Sequence, residues 1–289
     1  MKKKLASRYF MTLLLIVLSL LFVTPLFFML VTALKRPEDL ATYPMSIMPP
    51  VYQWKHFKEL IFSNDVIHFW QALGNTMTLT FVQTAIVAIS SALAGFGFAR
   101  YKARGKNFFF SVLLATMMLP TLVTMIPQYI VFSQLHLVGM PYPLSYLPLW
   151  LPSLPGWAFF IFLYRQFFAT LPKELEDAAM IDGCGRLRTF WRIFMPMAGP
   201  AIVTTCILVF QWTYTEYGGA VFYLSNDAQV LAVEMVTHIR IPNANVLYPL
   251  PNIPYQMTVG VMYCVPLLLL FAFAQRYFLQ SLVASGLKS

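Results

Sequence analysis

The sequence predicts an all-α polytopic membrane protein with six transmembrane helices and both termini in the cytoplasm. Three observations predict it. Of 289 residues, 59% are hydrophobic and only 11% are charged, with a mean hydropathy of +0.67, whereas soluble domains carry about 25% charged residues. Six long apolar segments recur along the chain, each able to supply the about 20 residues that a helix needs to cross a hydrocarbon core. The cations gather in alternate loops, as membrane orientation demands. A disordered chain is excluded, because it would be poor in apolar residues.

The six segments run about Tyr9–Leu34, Leu73–Ala99, Phe108–Phe132, Tyr142–Leu163, Ile193–Tyr214 and Tyr255–Tyr277. In lipid each backbone must satisfy its own hydrogen bonds, which favours helices. A transmembrane barrel would instead show alternating stretches of about ten residues. The first segment follows Lys2, Lys3, Lys4 and Arg8, as a signal peptide would. Its apolar run is too long and no small-residue cleavage site follows, so it is expected to be retained. Residues 1–72 therefore form an N-terminal helix with a long extracytoplasmic loop, and residues 73–289 form a five-helix core. That core includes a cytoplasmic loop at about 171–192.

With the amino terminus inside, fifteen of the 20 Lys and Arg residues fall on the cytoplasmic side and five outside. The inside set includes Arg100, Lys102, Arg104 and Lys106. Membrane orientation thus accounts for most of the net charge of +9, and no nucleic-acid partner is expected. Two outer loops are long and proline-bearing, about 35–72 and 216–254. They would either touch an extracytoplasmic partner or lie as lids over the helix ends. Cys184, Cys206 and Cys264 have neither metal-ligand spacing nor a disulfide framework, and no metal site is expected. His56, His68, His136 and His238 are far apart and are expected to be solvated.

The segment Leu171–Pro196, LPKELEDAAMIDGCGRLRTFWRIFMP, holds eight charges in a chain that has few. Pro172 suits a first helical turn, and Glu174, Glu176 and Asp177 complement the positive end of the helix dipole. Leu175, Ala178, Ala179 and Ile181 make a small apolar face. Gly183 and Gly185 are natural terminators, and Arg186–Phe194 starts a second helical stretch leading into the fifth span. A small-residue face lets another protein approach the backbone closely. Equally, such a helix can lie against its own bundle.

On these residues the chain resembles a known family. Glu176-Asp177-Ala178-Ala179-x-x-Asp182-Gly183, continuing to Ile193-x-x-Pro196, is similar to the EAA loop of ATP-binding cassette import permeases. Asn75-Thr76 and Ala94-Gly95-Phe96-Gly97-Phe98-Ala99-Arg100, at the two ends of the second span, resemble carbohydrate-uptake permeases of the maltose-transporter type. So do Ile126-Pro127, Phe160–Phe168 and the carboxyl end from Gln275 through Lys288. The resemblance covers nearly the whole chain from about Leu73. Asp177 stands where the family usually has Glu. Tyr214-Thr215-Glu216-Tyr217 stands where it often has Trp-Asn-Asp/Glu-Phe.

The resemblance implies a bacterial inner-membrane permease subunit of a binding-protein-dependent importer. Its partners would be a second homologous permease, two ATP-binding cassette ATPase subunits, an extracytoplasmic solute-binding protein and the lipid bilayer. The chain itself would bind no cofactor, ATP and Mg being held by the ATPase subunits. The loop would be a coupling helix, with Asp177, Ala178, Ala179 and Gly183 at the docking surface and Glu176 and Asp182 in support. Consistently, the chain contains no phosphate loop, since Gly105-Lys106 lacks its upstream glycine.

Ionisable groups within the spans are nearly absent, which weakens an ion-coupled mechanism and suits a neutral polar solute. Candidates for a solute path are Gln128, Gln211, Trp212, Tyr214 and Glu216; each also suits an interhelical hydrogen bond or interfacial anchor. Ser90, Ser91, Ala94, Gly95 and Gly97 favour close helix contact. Pro25, Pro120 and Pro127 can kink their helices. The alternative classes are a stand-alone secondary carrier or channel, which would want midplane ion ligands or inverted repeats, and an intramembrane enzyme, which would want converging ionisable residues.

Overall fold

The computed structural model describes residues 2–40, 43, 46–63, 67–237 and 252–286, with side chains for 7–40, 43, 46–63, 67–237 and 253–275. His238, Arg240 and the prolines of 238–251 lie outside the described residues, as do the side chains of the carboxyl-terminal motif beyond Gln275. The described residues contain helices and no strand. The elements used below are α1 (Lys2–Ala33), α2 (Lys55–Phe62), α3 (Phe69–Arg100), α4 (Lys106–Thr116) and α5 (Thr121–Gln134). They continue with α6 (Ala158–Thr170), α7 (Glu174–Ile181), α8 (Gly199–Tyr214), α9 (Gly218–Tyr223) and α10 (Asn252–Gly286).

Three stretches are single helices long and apolar enough to cross a membrane: Ser7–Ala33, Phe69–Arg100 and Ile253–Gln275. The other three predicted segments are each a bent pair of helices. α4 and α5 meet at 99°, Leu144–Ser153 and α6 at 47°, and Arg186–Met197 and α8 at 80°. Each break has a local cause. Pro120 is extended at φ −63°, ψ 133°, and its ring disfavours helical backbone at the residue before it. Gly156 adopts φ +85°, a left-handed conformation that glycine reaches without penalty. Ala198 leaves the helical region at φ −80°, ψ 12°, just after a π-helical turn at Phe190–Phe194. Pro25 and Pro127 remain inside helices, so of the three predicted kink sites only Pro120 lies at one of these breaks, as the residue that caps the start of α5.

The chain divides into two compact units, 1–70 with 234–266 and 71–233 with 267–289. The amino-terminal unit holds α1 and α2. Within that unit the loop after α1 is tied down. The Gln53 amide donates to the Leu34 carbonyl at 2.9 Å, and the Tyr255 hydroxyl donates to Glu59 Oε2 at 2.6 Å. Burial raises the Glu59 pKa, but the Tyr255 hydroxyl and Lys55 outweigh it, so the carboxyl ends below its ordinary value. His56, expected to be solvated, is buried instead. Its Nδ1 lies 2.9 Å from the Ala33 carbonyl and its ring 4.4 Å from that of Tyr255. His68 and His136 are exposed.

In the larger unit α3 is the central strut. A Cβ on Gly95 would stand 2.6 Å from Tyr164 Cβ, and one on Gly156 would stand 2.9 Å from Ser91 Oγ. The predicted small-residue contact is therefore real at Ser91 and Gly95. At Gly97 the space is open. Lipid is as apolar as leucine, so such contacts gain from close packing rather than from exclusion of water. A core of Phe96, Phe160, Tyr164, Phe168, Phe190 and Phe194 joins α3, α6 and the 186–197 run. At the other end of α3, Asn75 Nδ2 donates to the carbonyls of Asp227 and Gln229, each at 3.0 Å. The Thr76 hydroxyl accepts from the Leu231 amide at 2.8 Å. The Asn75-Thr76 pair thus pins the 226–231 stretch to α3.

Candidate functional site

Two sites emerge in the larger unit, one at each end of its helices. The first is the loop from Leu171 to Phe194. α7 begins after Lys173, not at Pro172, because the Glu176 and Asp177 amides both donate to the Lys173 carbonyl, at 2.9 and 3.1 Å. Glu174, Glu176 and Asp177 occupy its first turn, where carboxylates offset the free amides. The helix ends in a complete Schellman motif. The Gly183 amide donates to Met180 O at 3.1 Å and the Cys184 amide to Ala179 O at 2.8 Å, with Gly183 at φ +74°.

Burial sorts the loop residues. Ala179 is 2% exposed and packs inward, while Asp177, Ala178, Asp182 and Gly183 are exposed and Glu176 is half-buried. Met180 and Ile181 are 59% and 87% exposed. The outward face thus carries Ala178 and Ile181, about 60° apart on the helix, with Asp177 beside them, while Met180 points to another side. Sequence reasoning placed Ala178 and Ala179 together, although adjacent helical residues point about 100° apart.

The loop is clamped to α3 by a residue that sequence reasoning did not assign a role. Arg100, the last residue of α3, donates from Nη2 to the carbonyls of Phe168 and Leu171 at 2.7 and 2.6 Å. Its guanidinium carbon also lies 4.8 Å from the Phe194 ring centroid. One side chain therefore holds the end of α6, the entry to the loop and the run that leaves it. Next to it, Tyr101 takes Arg186 over its ring at 4.9 Å and packs edge-on to Phe96 at 5.5 Å. Burial, then the Glu176 charge, push the Tyr101 phenol above its ordinary pKa, against the pull of Arg186. Arg165 stacks its guanidinium 4.0 Å over Phe110.

The second site is a cavity of about 230 Å³ between α3, α5, the 148–157 turn and the end of α8. Gln128, Trp212 and Glu216 line it. Tyr214 does not; it is fully buried and stacks on Phe210 at 5.9 Å. Gln211 instead lines a hollow with Ile207 and Leu267. The cavity adds Gln83, Ser153, Trp157, Thr213 and Tyr223, none of which was singled out from sequence. The Ser153 hydroxyl accepts from Gln83 Nε2 at 2.6 Å and from Trp157 Nε1 at 2.9 Å. Trp157 and Trp212 stack at 6.1 Å and 21°. Glu216 Oε1 accepts the Gly219 amide at 2.7 Å. Gln83 Oε1, Thr213 Oγ1 and Tyr223 OH are buried without a protein partner. The lining has one carboxylate and no cation. Among the described residues no cluster of His, Cys, Asp and Glu could hold a metal.

Three long apolar helices and three bent apolar helix pairs define a class, that of a helical membrane protein. The comparisons make that class specific. The family described as "Binding-protein-dependent transport system inner membrane component" matches residues 91–283. The chain belongs to this family. It is 31% identical over 221 residues to the arabinooligosaccharides transport system permease protein AraQ of Halalkalibacterium halodurans, covering 76% of this chain and 75% of that one. It is 27% identical to the diacetylchitobiose uptake system permease protein DasC of Streptomyces coelicolor over the full length of both. In fold it is similar to a chain in the crystal structure of a bacterial ABC transporter that imports the acidic polysaccharide alginate, with TM-score 0.76, 19% identity and coverage of 92% and 94%.

Proposed function

We propose that this permease subunit belongs to an ATP-driven importer of neutral carbohydrate in a bacterial inner membrane. The chain has six spans, three of them broken, with both termini and the Leu171–Phe194 loop in the cytoplasm, a reading that the cation distribution supports. α7 seats in a cleft on one of two ATPase subunits, which hold ATP and Mg. A second homologous permease pairs with this chain, and an extracytoplasmic binding protein delivers the solute. Closure of the ATPase pair drives α7, and Arg100 passes that displacement to α3 and α6.

The observation that carries the reading is the outward face of α7. An isoleucine 87% exposed, beside Ala178 and Asp177 on a helix with a fixed end, suits a protein partner better than water. A ligand can shift an equilibrium only through contacts that differ between the two states, and the clamp gives such contacts a rigid route to the spans. The carbohydrate assignment draws support from relatives named for oligosaccharides. It also draws on the second cavity, whose stacked indoles and unpaired amide and hydroxyl groups suit a sugar ring. Its lone carboxylate and absent cations disfavour an acidic solute. The test is uptake and ATP hydrolysis by the reconstituted complex carrying Ala178→Arg. Hydrolysis retained without uptake supports docking through α7; unaltered uptake contradicts it.

A further inference from the structure

Tyr101 also lines a second hollow, of about 420 Å³, that the transport reading does not use. Its floor is apolar, formed by Ala94, Gly97, Phe98 and Phe109, and its rim carries Arg104 and Lys106. A Cβ on Gly97 would meet nothing within 4 Å, so this helix surface is an open slot. Lys106 Nζ donates to the Tyr101 carbonyl at 2.9 Å, which fixes the ammonium at the rim. Arg104 is exposed. Among the described residues neither cation forms an ion pair, and the stretch Arg100–Asn107 contains no acid. The neighbouring surface of α4 turns Phe108, Phe109 and Val112 outward, at 67%, 61% and 46% exposure.

Such a hollow asks for a ligand with an apolar tail and an anionic head, at the level where a membrane helix meets water. We infer that it binds one anionic phospholipid. An acyl chain lies over Ala94, Gly97, Phe98 and Phe109, and the phosphodiester sits between Arg104 and Lys106. Basic pockets between membrane helices take anionic head groups in this way. The inference is independent of ATPase docking, because retained lipid is counted on the assembled complex without transport.

The experiment purifies the whole transporter from nanodiscs of phosphatidylcholine and phosphatidylglycerol and counts retained lipids by native mass spectrometry. Two neighbouring cations give an expected preference for phosphatidylglycerol of about thirtyfold. Combined Arg104→Gln and Lys106→Gln should reduce that preference to a few-fold at most, by removing both charges. Gly97→Leu, which fills the slot while leaving the cations, should lower retention of both lipids. Inorganic phosphate at millimolar concentration should displace neither. Equal retention of the two lipids by the wild type would overturn the inference. So would retention that survives both variants, or cross-links showing a partner subunit seated over residues 97–106.

Discussion

The two ends of the larger unit are built on opposite terms. At the loop end, the carbonyls that end the helices are closed off within the protein, although Arg100 Nε and Tyr164 OH are buried there without partners. The Schellman motif uses the last carbonyls of α7, and Arg100 uses those of Phe168 and Leu171. Aromatic rings fill the space behind, with Phe96 and Phe194 centroids 4.8 Å apart. At the cavity end, Gln83 Oε1, Thr213 Oγ1 and Tyr223 OH are buried and lack protein partners. Leaving a buried polar group unpaired costs about 1–3 kcal/mol, and a fold keeps such groups where something else completes them. In the proposed mechanism the loop end serves as the lever and the cavity end as the path.

The contrast can be broken most severely at Arg100. Arg100→Ala leaves two carbonyls without their charged donor, and such hydrogen bonds contribute about 1.5–3 kcal/mol each. The complex should melt several degrees lower and hydrolyse ATP without uptake, while Arg100→Lys recovers part of both. Normal coupling in Arg100→Ala would remove the clamp from the account. A matched glycine pair comes next. Gly95→Val should destabilise by about 1–3 kcal/mol through overpacking against Tyr164. Gly97→Ala, in open space, should be neutral or gain up to about 1 kcal/mol in helix propensity. Thermal unfolding of the two variants side by side checks the difference.

At Gly183 a Cβ meets no neighbour, so the cost of Gly183→Val is its left-handed backbone, about 1–2 kcal/mol. Its expected signature, shared with Asp177→Lys, is intact insertion with impaired coupling, read as the ratio of solute moved to ATP hydrolysed. The smallest effect belongs to the path. Glu216→Gln keeps an oxygen for the Gly219 amide and removes the charge. Apparent solute affinity should shift a few-fold, as loss of one charge-assisted contact implies, with the coupling ratio unchanged. A coupling defect there would blur the division between the two ends.

Much of this was legible in the sequence, and the misses have physical reasons. Hydropathy located the six apolar segments because burial in lipid acts on every residue of a span. It did not locate the breaks, since Pro120, Gly156 and Ala198 sit in runs as apolar as the helices they interrupt. Pro25 and Pro127 carry the same local signal as Pro120 but stay helical. Gly183 was readable because a left-handed terminus favours one residue type. In the cavity, Gln128, Trp212 and Glu216 stood out as polar or amphipathic groups in apolar surroundings. Helical period could have separated Trp212 from Tyr214, which stacks on Phe210 one turn earlier; Glu216 lies beyond the end of α8. Gln83 carried the same signal as Gln128, an amide inside an apolar span. Ser153 and Trp157 gave none, because the turn that brings them to Gln83 is tertiary.

The central claim is that an ATPase subunit grips the outward face of α7. A photo-crosslinking residue at Ile181, in the assembled transporter, tests it most directly, with Ala179 as the inward control at 2% exposure. A crosslink to the ATPase from position 181 and none from position 179, with and without ATP, is the predicted result. No ATPase adduct from position 181 in any nucleotide state would contradict the account.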